Sequence, residues 1–217
     1  MNLVLDDTIR IPLVAATSLD AFRLWTKSAD YPERGDYNYL GNDLWVDVSS
    51  ESVGHNLLRG AVSSVLASVA IDNRLGRSFA SGMRLVHESA SLSTEPDSMF
   101  VCRDSLRSGC VWFENGAESR EVIGSPDVVL EIVSKHSVQK DTVALRELYA
   151  AAGITEYWLV HPLGEQLSFD ILRLTAKGYA ASRKTGGWTK STVFGKSFRL
   201  EAQVPEDELP DYRLLVR

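Results

Sequence analysis

The chain has 217 residues, 44% hydrophobic and 24% charged, with a formal net charge of −6. That is the balance of a globular protein with one sizeable core, so a single domain over 1–217 is expected. The charge excludes a basic coat for nonspecific nucleic-acid binding, but an acid cluster that holds a divalent cation is itself negative until the metal binds.

The N-terminus, MNLVLDDTIRIPLVAATSLD, carries acids where a signal peptide carries a basic n-region. No apolar run approaches the length of a membrane helix, so no membrane partner is expected. A cytoplasmic location follows, and two cysteines without a CxxC spacing, Cys102 and Cys110, suit a reducing compartment. SLDAFRLWTKSAD (18–30) predicts a short helix with Ser18 as N-cap and Phe22, Leu24 and Trp25 on its apolar side. DYNYLGNDLWVDVS (36–49) predicts a hairpin turning at Gly41-Asn42-Asp43.

GHNLLRGAVSSVLASVAIDN (54–73) is the clearest helix, with apolar residues at three- and four-residue spacing from Leu58 to Val69. Strand-like runs follow at 78–87, 97–102 and 110–114, separated by the turn-rich SLSTEP and RDSLRSG. PDVVLEIVS (126–134) is a buried strand, QKDTVALRELYAAAG (139–153) a helix ending at Gly153, and EYWLVHP (156–162) another strand. Together they predict a βαβ unit with parallel strands. Residues 167–200 predict further antiparallel strands, and the tail AQVPEDELPDYRLLVR is expected to lie loosely on the surface.

The acids carry the chemical question. Asp97 and Asp127 each follow a proline at the start of an apolar strand, and Glu131 lies within VVLEIV. Strand side chains alternate, so Asp127, Val129 and Glu131 share one face. Two carboxylates on a buried face repel unless a positive group lies between them. A hard divalent cation such as Mg²⁺ is one solution, and a Lys or Arg partner is the other. Asp127 alone also reads as a turn or cap residue, whereas a mid-strand glutamate is costly to bury without a partner. His55, taken alone, reads as a surface or capping residue at the start of the long helix.

The order PD–strand, PDVVLEIVS, Asp141, Tyr149, Gly153 and EYWLVHP resembles the Uma-type restriction-endonuclease family, common in bacteria, within the PD-(D/E)XK nuclease superfamily. The similarity runs from about residue 36 to about 175. LYAAAGITEYWLVHP and the spacing of Glu131 to Ser134 are its closest parts. The resemblance implies an α/β fold: a restriction-endonuclease-like mixed β-sheet core flanked by helices, with additional antiparallel strands. It implies metal-dependent hydrolysis of DNA phosphodiesters, with Mg²⁺ or Mn²⁺ held by Asp97 and Glu131. His55 matches the histidine that opens the family's long helix, while Asp127, Ser134, Asp141 and Tyr149 match supporting positions.

Two positions depart from the pattern. Asn38 stands where the family commonly has a glutamate. Leu145 stands where a lysine is expected four residues after Asp141, and leucine can neither orient a water nor stabilise phosphorane-like charge. Among the neighbouring cations Lys135, Lys140 and Arg146, the expectation favours Lys135 or Arg146, the arginine for charge stabilisation only. The alternative is a catalytically inactive nuclease fold that binds nucleic acid or a partner protein. A further alternative is an unrelated α/β domain with Glu131 in a buried ion pair. Trp25, Tyr37 and Trp45 are candidates for a homodimer surface.

Overall fold

The computed structural model describes residues 2–4, 9–162, 167–203 and 209–217. Strands β1 (Asn2–Val4) and β2 (Arg10–Pro12) form a small antiparallel ribbon ahead of helix α1 (Leu19–Thr26). The Ser18 hydroxyl accepts from the Ala21 N–H, which caps α1 as its sequence predicts. Strands β3 (Asp36–Leu40) and β4 (Asp43–Asp47) form the expected hairpin. Its central residues, Gly41 at φ 61° and Asn42 at φ 83°, take the left-handed conformation that a two-residue hairpin turn needs.

Helix α2 (Val53–Asp72) leads to β5 (Gly76–Ala80), β6 (Arg84–His87), β7 (Leu92–Thr94) and β8 (Ser98–Cys102). Helix α3 (Arg103–Ser108), β9 (Val111–Trp112), β10 (Glu121–Gly124) and β11 (Val128–Ile132) follow. A π-helical turn, Lys140–Ala144, runs into α4 (Leu145–Ala151), and β12 (Glu156–His161) returns. The C-terminal part is β13 (Ser168–Thr175), β14 (Gly178–Ala181), β15 (Lys184–Thr185), β16 (Trp188–Lys190), β17 (Ser197–Gln203) and β18 (Asp211–Val216).

Two mixed six-stranded sheets carry the fold, ordered β4-β3-β7-β6-β10-β9 and β14-β13-β12-β11-β8-β5. A four-stranded antiparallel sheet, β15-β16-β17-β18, completes it. Strands β11 and β12 pair in parallel, Val128 opposite Glu156 and Ile132 opposite Val160, so the βαβ reading holds. The period-two alternation of β11 divides its side chains between two cores. Val129 joins Leu85, Val122, Leu145, Tyr149 and Tyr157 between the large sheets and α4. Val128, Leu130 and Ile132 face α2 through Leu58, Val62 and Leu66, with Trp158 and Phe198 alongside. A third cluster packs Phe22 and Trp25 of α1 on Tyr37 and Tyr39 of β3.

Several expectations are corrected. The run 78–87 is not one strand: Gly82 at φ 94° turns the chain, and β5 and β6 enter different sheets. SLSTEP contains β7, RDSLRSG contains α3, and β10 lies in a stretch that carried no strand expectation. The end of the tail, from residue 209, is not loose, and residues 204–208 lie outside the described residues. Its strand β18 pairs with β17 from Asp211 to Val216, and Leu214 is buried. Leu24, expected on the apolar side of α1, is 73% exposed. Trp25 and Tyr37 are core residues and so do not offer a dimer surface, while Trp45 is partly buried against the core between the large sheets. Cys102 and Cys110 are both free. Among the described residues no helix is long and apolar enough to cross a membrane.

Candidate active site

A cleft of about 590 Å³ opens where the C-terminal end of β11 meets the first turns of α2. Asp97, Glu131, His55, Ser134, Lys135 and Asp141 all line it. Asp97 is placed by the sheet itself. The β8–β11 register pairs Leu130 with Ser98, and antiparallel counting puts Pro96 opposite Ile132. There the ladder ends, and Asp97 Oδ2 takes the Ile132 N–H at 2.7 Å. Its other oxygen, Oδ1, lies 3.2 Å from His55 Nε2 and 3.5 Å from Arg59 Nη1.

His55 sits between two acids, with Glu51 Oε1 3.4 Å from the same Nε2. Burial alone would lower its pKa, but the hydrogen bond and charge of Asp97, then the charge of Glu51, raise it above the ordinary histidine value. Arg59 pairs with Glu51 Oε1 at 2.6 Å and donates to Oε2 at 2.7 Å. Glu51, His55 and Asp97 present ligand atoms within 4.8 Å of one another, the one such group among the described residues. Glu131 is not a member of it.

Glu131 is buried, and Tyr149 O–H donates to its Oε1 at 2.6 Å. Burial, then the charges of Asp141 and Asp97, push its pKa well above the ordinary range, with Lys140 opposing them. Asp141 is also buried. One oxygen accepts from Ser137 Oγ, while Oδ1 has no hydrogen-bond partner. Burial raises the Asp141 pKa to about 6 against the opposing effects of Lys140 and Ser137, with Asp97 and Asp36 adding to the rise. Lys140 donates to Asp36 Oδ2 at 2.8 Å and stands 3.8 Å from Asp141 Oδ1. Although burial opposes it, the charges of Asp36, Glu131 and Asp141 raise the Lys140 pKa, so its ammonium stays protonated.

Other expected residues lie elsewhere. Arg146 points away from the cleft: its Nη2 donates to the Tyr179 carbonyl on β14 at 2.9 Å, as the 100° step from Leu145 requires. Leu145 itself is fully buried in the core. Asp127 lies at the far end of β11, about 13 Å along the strand from Glu131. Its carboxylate accepts from the Cys102 N–H at 2.7 Å and from Ser105 Oγ at 2.9 Å, so it caps the start of α3. Ser134 Oγ accepts from the His136 and Ser137 N–H groups and shapes the loop after β11. Tyr149 meets the site only through its hydroxyl on Glu131. Asn38 is buried and accepts from Thr94 Oγ1 at 2.6 Å.

Glu51, Arg59 and Asp36 were not anticipated. The first two had a readable signal, since residues 51, 55 and 59 fall at successive four-residue steps, Glu51 just ahead of the N-cap of α2 and the other two on one face of it. Asp36 reaches Lys140 across 104 positions of sequence, a contact no local pattern announces.

This arrangement can be set beside known proteins. A family model with the description "Uma2: Putative restriction endonuclease" matches residues 20–203. The chain belongs to the Uma2 family. Its fold is also that of a solved structure from Anabaena variabilis described as a "putative nuclease belonging to DUF820". The two superpose with a TM-score of 0.62 at 18% identity, covering 82% of this chain and 90% of the other. No curated protein matches. The mixed, helix-flanked sheet core of this Uma2 member is thus the nuclease-type architecture that its motifs imply.

Proposed function

We propose that this cleft hydrolyses phosphodiester bonds of DNA with the help of a divalent cation, Mg²⁺ or Mn²⁺. One observation carries the reading: Asp97, pinned by the Ile132 N–H, shares the cleft with the buried Glu131 and with Asp141, whose Oδ1 accepts no hydrogen bond. A hard cation takes oxygen ligands, and two buried carboxyls, Glu131 and Asp141, whose proton affinity is raised by burial and by neighbouring acids are donors that such a cation relieves. Asp97 and Glu131 would hold the ion, with Asp141 next to them. When bound, it would lower the pKa of a water and neutralise charge on the scissile phosphate.

The remaining tasks fall to the chain. Tyr149 fixes the Glu131 carboxylate, and Ile132 fixes that of Asp97. Arg59 brings positive charge to the α2 side of the cleft, beside His55, whose pKa burial lowers but Asp97 and Glu51 raise above the ordinary histidine value. The reaction adds water across one P–O ester bond: its oxygen bonds to phosphorus as that bond breaks, and the leaving oxygen ends protonated. Incubation of supercoiled plasmid with Mg²⁺ or Mn²⁺ tests the reading. Nicking is expected for the native protein and a rate lower by about 100-fold or more for Glu131→Ala, since even groups outside the ligand set cost about 10–100-fold. Equal background cleavage by both proteins would count against it.

A second reading, a nuclease fold that binds nucleic acid without cutting, is favoured by a specific feature. Asp97 Oδ1 already faces His55 and Arg59, which compete with a cation for that oxygen. The same assay, with DNA binding retained and no nicking, would favour it.

A further inference from the structure

We propose that Lys140, delivered by the π-helical turn, is the fixed positive charge that faces the substrate phosphate, at the place a regular helix would leave to residue 145. The inference rests on the nuclease reading and adds a residue to it.

The backbone supplies the first argument. In an α-helix, residues five apart point about 140° away from each other. Here the Leu145 N–H donates to the Lys140 carbonyl, the five-residue closure of a π turn. That closure brings positions 140 and 145 toward the same side of the helix. Position 145 is given to the core, where Leu145 packs with Tyr149 and Tyr157. Lys140 is turned into the cleft instead. Such turns are rare and concentrate at functional sites, because they cost regular hydrogen bonding.

The second argument is the fate of the other cations. Arg146 is tied to the Tyr179 carbonyl outside the cleft. Both terminal nitrogens of Arg59 are engaged by Glu51. Lys135 is exposed at the rim. Lys140 differs from Arg146 and Lys135 in place and burial, and from Arg59 in its acid partners, Asp36 and Asp141. Its stem is mostly buried, its ammonium lies 2.8 Å from Asp36 Oδ2 and 3.8 Å from Asp141 Oδ1, and it lines the cleft beside Glu131. Asp36, at the start of β3, tethers it from a different sheet. Set between Asp36 and Asp141, the Lys140 ammonium contributes charge to the cleft.

Titration of Mn²⁺ into the native protein, Lys140→Met, Lys140→Arg and Asp36→Asn, with plasmid cleavage in parallel, tests this. Removing a unit charge beside the acids should tighten Mn²⁺ binding about 10-fold in Lys140→Met. Cleavage by the same variant should fall about 100-fold. Lys140→Arg keeps the charge and should hold native Mn²⁺ affinity within about twofold. Asp36→Asn keeps the ammonium and should not tighten Mn²⁺ binding. Unchanged affinity and cleavage in Lys140→Met overturns the proposal. So do tighter binding in Lys140→Arg and identical behaviour of Lys140→Met and Asp36→Asn, as a purely structural ion pair would give. Failure of the native protein to bind Mn²⁺ overturns the nuclease reading itself. If Lys140→Met does not fold, the Lys140→Arg and Asp36→Asn arms still decide the question.

Discussion

Two buried glutamates on neighbouring strands have opposite surroundings. Glu156, which opens β12, accepts from Trp158 Nε1, Ser191 Oγ, both the N–H and the hydroxyl of Thr192, and the Val193 N–H. Glu131, on the adjacent β11, accepts one hydrogen bond among the described residues, from Tyr149, and lies near two further carboxylates. Both are almost wholly removed from solvent. A buried carboxylate with its lone pairs filled is a fastening, here between the central sheet and the segment leading to β17. One left under-satisfied among like charges costs stability, and a fold keeps it where the charge has a use.

Substitution separates the two most sharply. Glu156→Ala leaves five donors facing a vacancy and should cost about 3–5 kcal/mol of stability. The plasmid-nicking rate per folded molecule should stay within about twofold, because Glu156 lies at the end of the sheet away from the cleft. Glu131→Ala orphans only the Tyr149 hydroxyl and relieves like-charge repulsion, so it should cost no more than about 1 kcal/mol. Chemical denaturation of both variants checks the contrast. Equal losses would show that counting donors does not separate a fastening from a site.

Acid–base behaviour sharpens it further. The Asp141 carboxyl is raised from 3.8 to about 6 by burial. A folded form that holds its proton more tightly gains stability below the unfolded pKa and loses it as pH rises through the folded one. Asp141 therefore favours the fold fully below about pH 4 and gives that contribution up by about pH 7. Asp141→Asn should gain about 2 kcal/mol over the native protein near pH 7 and almost nothing near pH 4. Added Mg²⁺ should narrow the gap at the higher pH, because it stabilises the native carboxylate. Thermal melts at the two pH values, with and without Mg²⁺, check this. A pH-independent difference would place the Asp141 proton affinity at its ordinary value.

Much of this frame was legible in the sequence. The helix periodicity from Leu58 to Val69, the Gly41-Asn42 turn and the β11–α4–β12 unit appear where local pattern places them. Asp97, Glu131 and His55 share one cleft, as the family resemblance implies, because the start of β8, the C-terminal end of β11 and the start of α2 converge there. The misses have physical causes. Strand β7, Leu-Ser-Thr, is three residues of turn-like composition held by its sheet partners. Strand β18 was masked by the acids and prolines preceding it. Lys140 reaches the cleft from a π turn, which nothing in KDTVAL marks.

The smallest effect concerns the two proline-led aspartates, which look alike in sequence. Asp97 ends a ladder inside the cleft, and Asp127 caps α3 at the other end of the sheet. Three groups donate to Asp127, from Cys102 N and Sγ and from Ser105 Oγ, and none of them lies in the cleft. Removal of a charged cap costs about 1–2 kcal/mol, so Asp127→Ala should lower stability by that much. It should leave Mn²⁺ affinity and nicking unchanged, because at about 13 Å from Glu131 the missing charge is screened. Asp97→Ala should do the reverse, abolishing nicking at a modest stability cost as His55 and Arg59 lose one acid and keep Glu51. If Asp127→Ala weakened Mn²⁺ binding about as much as Asp97→Ala, then donors counted in place would not tell a cap from a ligand, and the contrast between Glu156 and Glu131 would fall with it.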